Sequence, residues 1–277
     1  MHTKVFKANR TFYRIMKATL GSYLIRKYRV ESFNGAIKDL KPPFLILANH
    51  VNNLDPFFIS VLANNPVHFV VSDEQYRNPI KRFIFKYLIG GIPKTKFVSD
   101  MGTVKHIIKL VREQCIIGIF PEGGRNWDGV TGEILPSTSK LVKMLHIPVV
   151  ICILDGAYLS HPRWAMGDRI GKISVDFKTV LTKEMLSDMN TEQIQSKLDS
   201  LLAHNEYELQ KAKLIDFHGD RIAEKLERFL FICPSCHAKT EMYSEGDRFR
   251  CLSCGYSVIY LESGYFQPLN GELIFEE

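Results

Sequence analysis

Four short, almost wholly apolar runs constrain the fold of this chain more than any other feature of its sequence. Each run is four to six residues long, and stretches with helical spacing separate the runs. Short apolar strands that alternate with helices are typical of an α/β domain with a largely parallel sheet flanked by helices. The predicted strands lie at residues 44–47, 67–71, 115–120 and 149–154, and the predicted helices at 56–63, 80–88, 103–113 and 140–145.

The pattern changes on either side of this central region. Residues 172–180 alternate apolar and polar side chains and are predicted to form a half-buried edge strand, and residues 182–212 are predicted to be helical. We therefore divide the 277 residues into four parts. They are a basic amphipathic helix at 1–30, the α/β domain at 31–212, a helical linker at 213–231 with a helix at 220–230, and a cysteine module at 232–277.

Residues 1–30 contain no acid and carry most of the excess positive charge of a chain whose net charge is +6. On a helical projection, Val5, Phe12, Tyr13, Met16, Leu20 and Tyr23 fall on one side. Two interpretations stay open: a helix packed on its own domain, or a helix in the lipid interface with its basic side chains at anionic head groups. The absence of acids favours the membrane. The basic residues are Lys4, Lys7, Arg10, Arg14, Lys17, Arg26, Lys27 and Arg29.

No run in the sequence reaches the roughly 20 apolar residues that cross a bilayer, and the N-terminus lacks the apolar core of a signal peptide. We expect a protein at the cytoplasmic face of the cell membrane, bound peripherally or monotopically.

Two polar segments follow predicted strands, where active-site loops are common. In the first, His50 comes directly after a strand and Asp55 follows five residues later, before Pro56. Asp55 there is a good helix N-cap and His50 can be an ordinary loop histidine, but a carboxylate beside an imidazole also makes an oriented general base. The second segment is Phe120-Pro-Glu-Gly-Gly-Arg125. Its glycines let a ligand approach the backbone, and Arg125 offers a planar fork for phosphate.

Together these segments resemble the glycerophospholipid acyltransferases, and most closely the 1-acylglycerol-3-phosphate acyltransferases. The resemblance rests on His-x-x-x-x-Asp after a strand, Phe-Pro-Glu-Gly-x-Arg about seventy residues later, and the proline-containing strand entry Ile147-Pro148. It covers roughly residues 30–210 and implies that 31–212 is an acyltransferase domain. Two departures stand out. Gly124 replaces the usual Thr or Ser, and the acceptor-binding block that normally ends in Arg offers Lys94 and Lys96.

The resemblance implies a fatty acyl transfer from acyl-CoA or acyl carrier protein to a lysophospholipid, with 1-acylglycerol 3-phosphate as the leading acceptor. Glycerol 3-phosphate or another lysolipid is the alternative. His50 would be the general base and Asp55 would orient it. The implied substrate-binding residues are Asn49, Glu122, Gly123, Arg125, Lys94 and Lys96.

The C-terminal module contains two Cys-x-x-Cys pairs separated by fourteen residues. In a chain without an export signal this spacing predicts a structural Zn²⁺ ribbon, with an Fe–S site or a redox pair as alternatives. The ligands would be Cys233, Cys236, Cys251 and Cys254.

A function of a different class is a nucleic-acid or protein-binding adaptor that uses the ribbon and the basic N-terminus. The acids of the ribbon balance its basic residues, so we expect no nucleic-acid partner. An adaptor also has no need of the His50 and Arg125 segments. We expect the partners to be lipid and thioester substrates, an anionic membrane surface and acyl carrier protein.

Overall fold

The apolar runs form the centre of a seven-stranded sheet in a computed structural model that describes residues 6–33, 37, 40–95 and 100–275. All four predicted strands are confirmed, as β2, β3, β5 and β6. The sheet order is β1-β7-β6-β2-β5-β3-β4, and every neighbouring pair is parallel except β6 and β7. The strands are β1 (Glu31–Phe33), β2 (Leu45–Ala48), β3 (Val67–Ser72), β4 (Ile92–Lys94), β5 (Ile116–Ile119), β6 (Val149–Asp155) and β7 (Ser174–Leu181).

The predicted helices are also present, together with further ones before and after the sheet. The stretch 182–212 is helical as predicted, but it is divided into three helices whose caps include Asn190 and Asn205. The helices are α1 (Arg10–Met16), α2 (Ser22–Lys27), α3 (Asp55–Leu62), α4 (Pro79–Phe83), α5 (Met101–Arg112), α6 (Pro136–Leu145), α7 (Ala157–Ser160), α8 (Lys183–Ser187), α9 (Thr191–Leu202) and α10 (Glu206–Lys213).

The prediction that 172–180 is an edge strand is wrong. This segment, β7, lies between β6 and β1, and its antiparallel pairing with β6 runs from Ser174 to Leu181. The alternation arose because Val175 and Phe177 are buried on one face while intervening residues are partly exposed on the other. The alternation of apolar and polar side chains therefore indicates that one face of the sheet is partly exposed here. It does not indicate whether a strand has one neighbouring strand or two.

Both faces of the sheet are covered. In β2, Ile46 and Ala48 pack in one apolar cluster with side chains of α2 and α3, while Leu45 and Leu47 pack in a second cluster with α5, α6 and α9. All four residues are at most 1% exposed. Burial of a large aliphatic side chain stabilises the fold by about 1.5–3 kcal/mol. This burial holds β2 rigidly. Because His50 and its neighbours directly follow β2, their backbone is held in place as well.

The N-terminal helix forms, but its apolar side chains do not share one face. A π-helical stretch, Lys17–Gly21, joins α1 to α2, and its wider turn rotates the residues that follow. Tyr13 is buried and donates its hydroxyl to the carbonyl of Ser60, while Leu20 is 40% and Tyr23 is 56% exposed. The helix therefore both packs on its domain and leaves apolar side chains at the surface.

The predicted helical linker at 213–231 is wrong. Between the end of α10 and residue 231 the chain is irregular except for a short turn of 3₁₀ helix, Leu226–Arg228. Arg221 and Lys225 have positive φ values of 56° and 70°, which interrupt an α-helix. Because Ile222, Ala223 and Leu226 pack in the core of the cysteine module, tertiary contacts override the helical propensity of this sequence.

The cysteine module is a small antiparallel sheet whose core includes a side chain of the α/β domain. Trp164, from the loop after α7, packs among the module's buried residues and meets Tyr260 edge-on at 5.7 Å between ring centroids. The strands are β8 (Met242–Glu245), β9 (Arg248–Cys251), β10 (Ser257–Tyr260) and β11 (Phe266–Pro268), in the order β11-β10-β9-β8. Among the described residues, no helix is long and apolar enough to cross a bilayer.

Candidate active site

His50 and Asp55 meet at the carboxyl end of β2. Nδ1 of His50 lies 2.9 Å from Oδ2 of Asp55. Asp55 is fully buried, while the His50 side chain keeps 20% of its exposure. An ionised carboxylate only accepts hydrogen bonds, so this contact places the ring proton on Nδ1 and leaves Nε2 with a free lone pair. The structure brings together the two residues that the sequence paired.

Asp55 is held by more than His50. Its Oδ2 also accepts from the backbone N–H groups of Val51 and Asn52, each at 2.8 Å. The residue is the first of α3, whose N-cap is Leu54, so the expected N-cap position of Asp55 is one residue off. The carboxylate therefore closes the loop between β2 and α3 and fixes the imidazole at the same time.

Glu122, in the loop that follows the neighbouring strand β5, binds the backbone of His50. Its Oε1 accepts from the N–H of His50 at 2.7 Å, and its Oε2 accepts from the N–H of Gly132 at 2.8 Å. Burial raises the pKa of Glu122, and the two backbone hydrogen bonds oppose that rise. Phe120 stacks on the imidazole at 4.1 Å between centroids. These contacts leave His50 little freedom to rotate.

The loop after Glu122 has the open backbone that its glycines predicted. Gly123 has a φ of +75°, a conformation that glycine adopts without strain. A Cβ atom at Gly124 would meet nothing within 4 Å, so the Thr or Ser usual in the resembled family would fit here. The loop then turns back to the first segment, because the N–H of Asn126 donates to the carbonyl of His50 at 3.0 Å.

Arg125 is half-buried in the loop next to His50 and Asp55. Burial lowers its pKa, the positive charge of Arg163 lowers it further, and the carboxylate of Asp55 raises it. Its Nη1 is buried and has no hydrogen-bond partner among the described residues. A buried guanidinium with an unused donor is suited to an anionic substrate group.

Asn49, predicted to contact substrate, instead holds the end of β2. The side chain is 1% exposed, donates to the carbonyl of Leu154 at 2.9 Å and accepts from the N–H of Leu154 at 2.8 Å. The amide thus continues the pairing of β2 with β6 beyond its last regular residue. We revise the role of Asn49 from substrate contact to positioning of the His50 loop.

The two predicted lysines have different outcomes. Lys94 ends β4 opposite Ser72 and lies at the same edge of the sheet as His50, three strands away from β2. At about 4.8 Å per strand this is a lateral offset of about 14 Å, so Lys94 lies at the rim of the site. Lys96 lies outside the described residues.

The structure adds Trp127 and Arg163 to this edge, neither of which the sequence indicated. Nη1 of Arg163 donates to the carbonyl of Arg125 at 2.6 Å, and its guanidinium carbon lies 4.4 Å from the ring centroid of Trp127. Arg163 comes from the segment after β6, and only its position just beyond the carboxyl end of a buried strand could have pointed to it.

The four cysteines of the C-terminal module converge. Their Sγ atoms all lie within 4.8 Å of one another. The pair Cys233 and Cys254 is 3.7 Å apart and the pair Cys236 and Cys251 is 3.8 Å apart, too far for disulfides. A tetrahedron with metal–sulfur bonds of about 2.3 Å has edges of about 3.8 Å. The cluster therefore has the size of a four-thiolate metal site.

The turn that follows each pair of cysteines has the same geometry. His237 follows Cys236 with a φ of 59°, and Gly255 follows Cys254 with a φ of 77°. In each turn, the N–H of this residue donates to the carbonyl of the first cysteine of its pair. Two matching knuckles of this kind present four thiolates to one point, and a cation there would fit them.

A family model matches part of the chain. Residues 25–155, just under half of the sequence, match the family model described as Acyltransferase. This match spans β2, α3 and the loop of Arg125, the elements that form the site. It supports an enzyme, as predicted, and speaks against the adaptor.

A solved structure shares the fold of this chain. The chain is similar in fold to the crystal structure of the 1-acyl-sn-glycerophosphate (LPA) acyltransferase PlsC from Thermotoga maritima, with a TM-score of 0.60 and 15% sequence identity. The similarity covers 73% of this chain and 79% of that one. No match was found among the curated proteins. The predicted resemblance to the 1-acylglycerol-3-phosphate acyltransferase family is thus supported by both the domain match and the fold.

Proposed function

We propose that the protein transfers a fatty acyl group from an acyl thioester to the free hydroxyl of a lysophospholipid, with 1-acylglycerol 3-phosphate as acceptor and phosphatidic acid as product. The observation that carries the proposal is the contact between His50 and the buried Asp55, which occupies Nδ1 of His50 and leaves Nε2 for substrate. Arg125 lies in the adjacent loop, whose Asn126 N–H donates to the carbonyl of His50. A base next to a half-buried cation fits an acceptor that carries both a hydroxyl and a phosphate.

The proposed reaction needs no covalent acyl-enzyme. Nε2 of His50 removes the proton of the acceptor hydroxyl while that oxygen attacks the thioester carbonyl carbon. The tetrahedral intermediate collapses, the carbon–sulfur bond breaks, and the departing thiolate takes the proton back from the imidazolium. Asp55, which already binds Nδ1, stabilises the imidazolium between these two steps.

His50→Ala tests the proposed chemistry. We expect the variant to fold normally, because the imidazole is partly exposed, and to lose about 10²–10⁴-fold in transfer rate. The assay offers purified protein 1-acylglycerol 3-phosphate, other lysophospholipids and glycerol 3-phosphate, each with acyl-CoA and with acyl carrier protein as donor. His106→Ala on α5 is the matched control and should remain active. A folded His50→Ala protein with near-normal transfer would refute the assignment.

We further propose that the protein works at the cytoplasmic face of the membrane. Two elements that lie side by side expose large apolar side chains: the helix formed by α1 and α2, and α4 with the π-helical stretch Ile84–Ile89. Lysines and arginines surround them, which fits an anionic lipid surface. These exposed side chains, here called the apolar rim, are Ile15, Leu20, Tyr23, Ile80, Phe83 and Tyr87.

For the cysteine cluster we propose a structural Zn²⁺. The observation that supports it is the spacing of the four Sγ atoms, which suits tetrahedral thiolate ligation. All four ligand positions are taken by protein, as in structural zinc sites, and the metal would stabilise the module without entering the reaction. Cys115 and Cys152 lie in the strand region as buried free thiols and have no role in this proposal.

A further inference from the structure

Arg163 lies against the loop that carries Arg125, and the proposed mechanism does not use Arg163. The loop after α7 carries it to the carbonyl of Arg125, which it binds at 2.6 Å. The guanidinium carbon of Arg163 lies over the ring of Trp127, 4.4 Å from the ring centroid. Trp127 is itself stacked against Phe229, with an angle of 12° between the ring planes. Two arginines distant in sequence thus meet at the edge of the sheet that carries His50.

No carboxylate of the described residues is in direct contact with either guanidinium of this pair. Arg163 is close enough to Arg125 for its positive charge to lower the pKa of Arg125, in addition to the effect of burial. Within the described residues, neither guanidinium forms an ion pair with a carboxylate. Nη1 of Arg125 is also buried without a partner. Adjacent like charges with an unused buried donor cost free energy unless an anion joins them.

We propose that Arg125 and Arg163 together bind the phosphate monoester of the acceptor, with Trp127 holding Arg163 in place. This inference rests on the proposed function and narrows it to acceptors that end in a phosphate monoester. Such a group carries close to two negative charges near pH 7 and three acceptor oxygens, enough for two guanidinium forks. Arg163 is then the second cation at the phosphate, a role that the sequence predicted for Lys94 or Lys96.

The position of the pair fits an acceptor that reacts at His50. Asn126, the residue after Arg125, donates its N–H to the carbonyl of His50 at 3.0 Å, so the loop of Arg125 lies against the His50 loop. The carboxylate of Asp55 also raises the pKa of Arg125. Lys94, by contrast, lies three strands from β2. A phosphate held by the two arginines would therefore place a glycerol backbone next to Nε2 of His50, and a bilayer-bound acyl chain could extend outward.

Steady-state kinetics of Arg163→Ala tests the proposal. We expect the KM for 1-acylglycerol 3-phosphate to rise about 10- to 100-fold, since charge-assisted hydrogen bonds to the phosphate are lost. The kcat and the KM for acyl-CoA should stay near wild-type values. Arg163→Lys should recover part of the affinity because it keeps the charge but not the fork. Arg112→Ala, which removes an exposed arginine at the end of α5, is the control and should change neither KM.

Acceptors that differ only in their head group separate phosphate binding from mere support of the loop. With 1-monoacylglycerol, which lacks the phosphate, Arg163→Ala should have the same KM as wild type. An equal rise in KM for both acceptors would show that Arg163 only positions the loop. A rise confined to acyl-CoA would assign the anion site to the donor. Either result overturns the proposal.

Direct binding keeps this inference distinct from the proposed function. Phosphorus NMR of glycerol 3-phosphate titrated with wild-type protein should show binding that weakens at least 10-fold in Arg163→Ala. If wild type acylates no lysolipid, the proposed function fails while this binding result still decides the anion site. If wild type acylates 1-acylglycerol 3-phosphate but Arg163→Ala leaves its KM and the glycerol 3-phosphate binding unchanged, only the anion site is refuted.

Discussion

At the scale of single residues, two histidines fix their tautomers in the same way and serve different purposes. Nδ1 of His50 binds Asp55, and Nδ1 of His68 binds the carbonyl of Ile116 at 3.2 Å. The Nε2 atom of His68 accepts from the N–H of Ala8 at 3.1 Å, so this nitrogen anchors the N-terminal segment. Nε2 of His50 has no such partner among the described residues, and we propose that it meets the substrate. The partner of the second nitrogen therefore separates the structural histidine from the proposed base.

His68 predicts a dependence of stability on pH. Burial lowers its pKa to about 4, so folding favours the neutral ring. A depressed pKa contributes stability that is present above the unfolded value of 6.5 and is lost as pH falls through about 4. The contribution at neutral pH is on the order of 3 kcal/mol, and protonation would also break the contact with Ala8.

Denaturant unfolding of wild type and His68→Gln between pH 7 and about 4 measures this effect. Glutamine keeps an acceptor for Ala8 but does not titrate in this range. Wild type should lose more stability than the variant as the pH falls. Parallel pH profiles for the two proteins would contradict the assignment.

At the scale of elements, the helix of residues 10–27 packs on its own domain and also leaves large apolar side chains exposed. Tyr13 and Leu24 are buried against the domain, and Gly21 allows close packing because a Cβ atom there would lie 2.7 Å from Cγ1 of Val61. Ile15 and Tyr23 are 58% and 56% exposed. Inner contacts therefore fix the orientation of the helix, and the outer side chains become available to a lipid interface.

Ile80→Ser together with Phe83→Ser tests the apolar rim. These side chains are 70% and 55% exposed, so their replacement should leave folding intact. We expect binding to liposomes that contain anionic lipid to weaken at least 10-fold, since two large apolar contacts with the interface are lost. Flotation at low and high salt gives the affinity. Met144→Ser on α6, 50% exposed on the other side of the sheet, should bind like wild type, and equal flotation of both variants would refute the membrane surface.

At the scale of the whole molecule, hydrogen bonds join the cysteine module to the α/β domain. Arg169 donates to the hydroxyl of Tyr260 and to the carbonyl of Ile222, and the carbonyl of Glu262 accepts from the N–H of Phe217. Phe229 also stacks on Trp127, which follows Arg125 in the loop near His50, so the contacts of the module reach that loop. The module thus supports the site from outside, and its stability should affect the binding of the acceptor.

Treatment with a chelator tests the proposed zinc site. We expect purified protein to contain stoichiometric zinc and a strong chelator to unfold the module, because metal binding and folding are coupled in small thiolate sites. Trp164, which is 1% exposed, should then become solvated and its fluorescence should shift to longer wavelength. Cys236→Ala should lack zinc, whereas Cys115→Ala should retain it. A folded, metal-free module would contradict the zinc assignment.

The sequence determined the features that depend on local patterns. Apolar runs predicted the central strands because a strand covered on both faces has no polar side. Cys-x-x-Cys spacing predicted the cysteine cluster for a similar reason, since each knuckle is formed within a few residues. The pairing of His50 with Asp55 was predictable because a single turn of chain joins the carboxyl end of β2 to α3.

Only the tertiary structure decided what depends on contacts between distant segments. The internal place of β7, the irregular chain before the module and the burial of Asn49 all follow from neighbours that no local pattern names. Arg163 reaches Arg125 because β6 and β5 both pair with β2, one on each side. Parallel strands bring the residues after them to one edge of the sheet whatever their separation in sequence, and the packing of the side chains there selects which of them form the site.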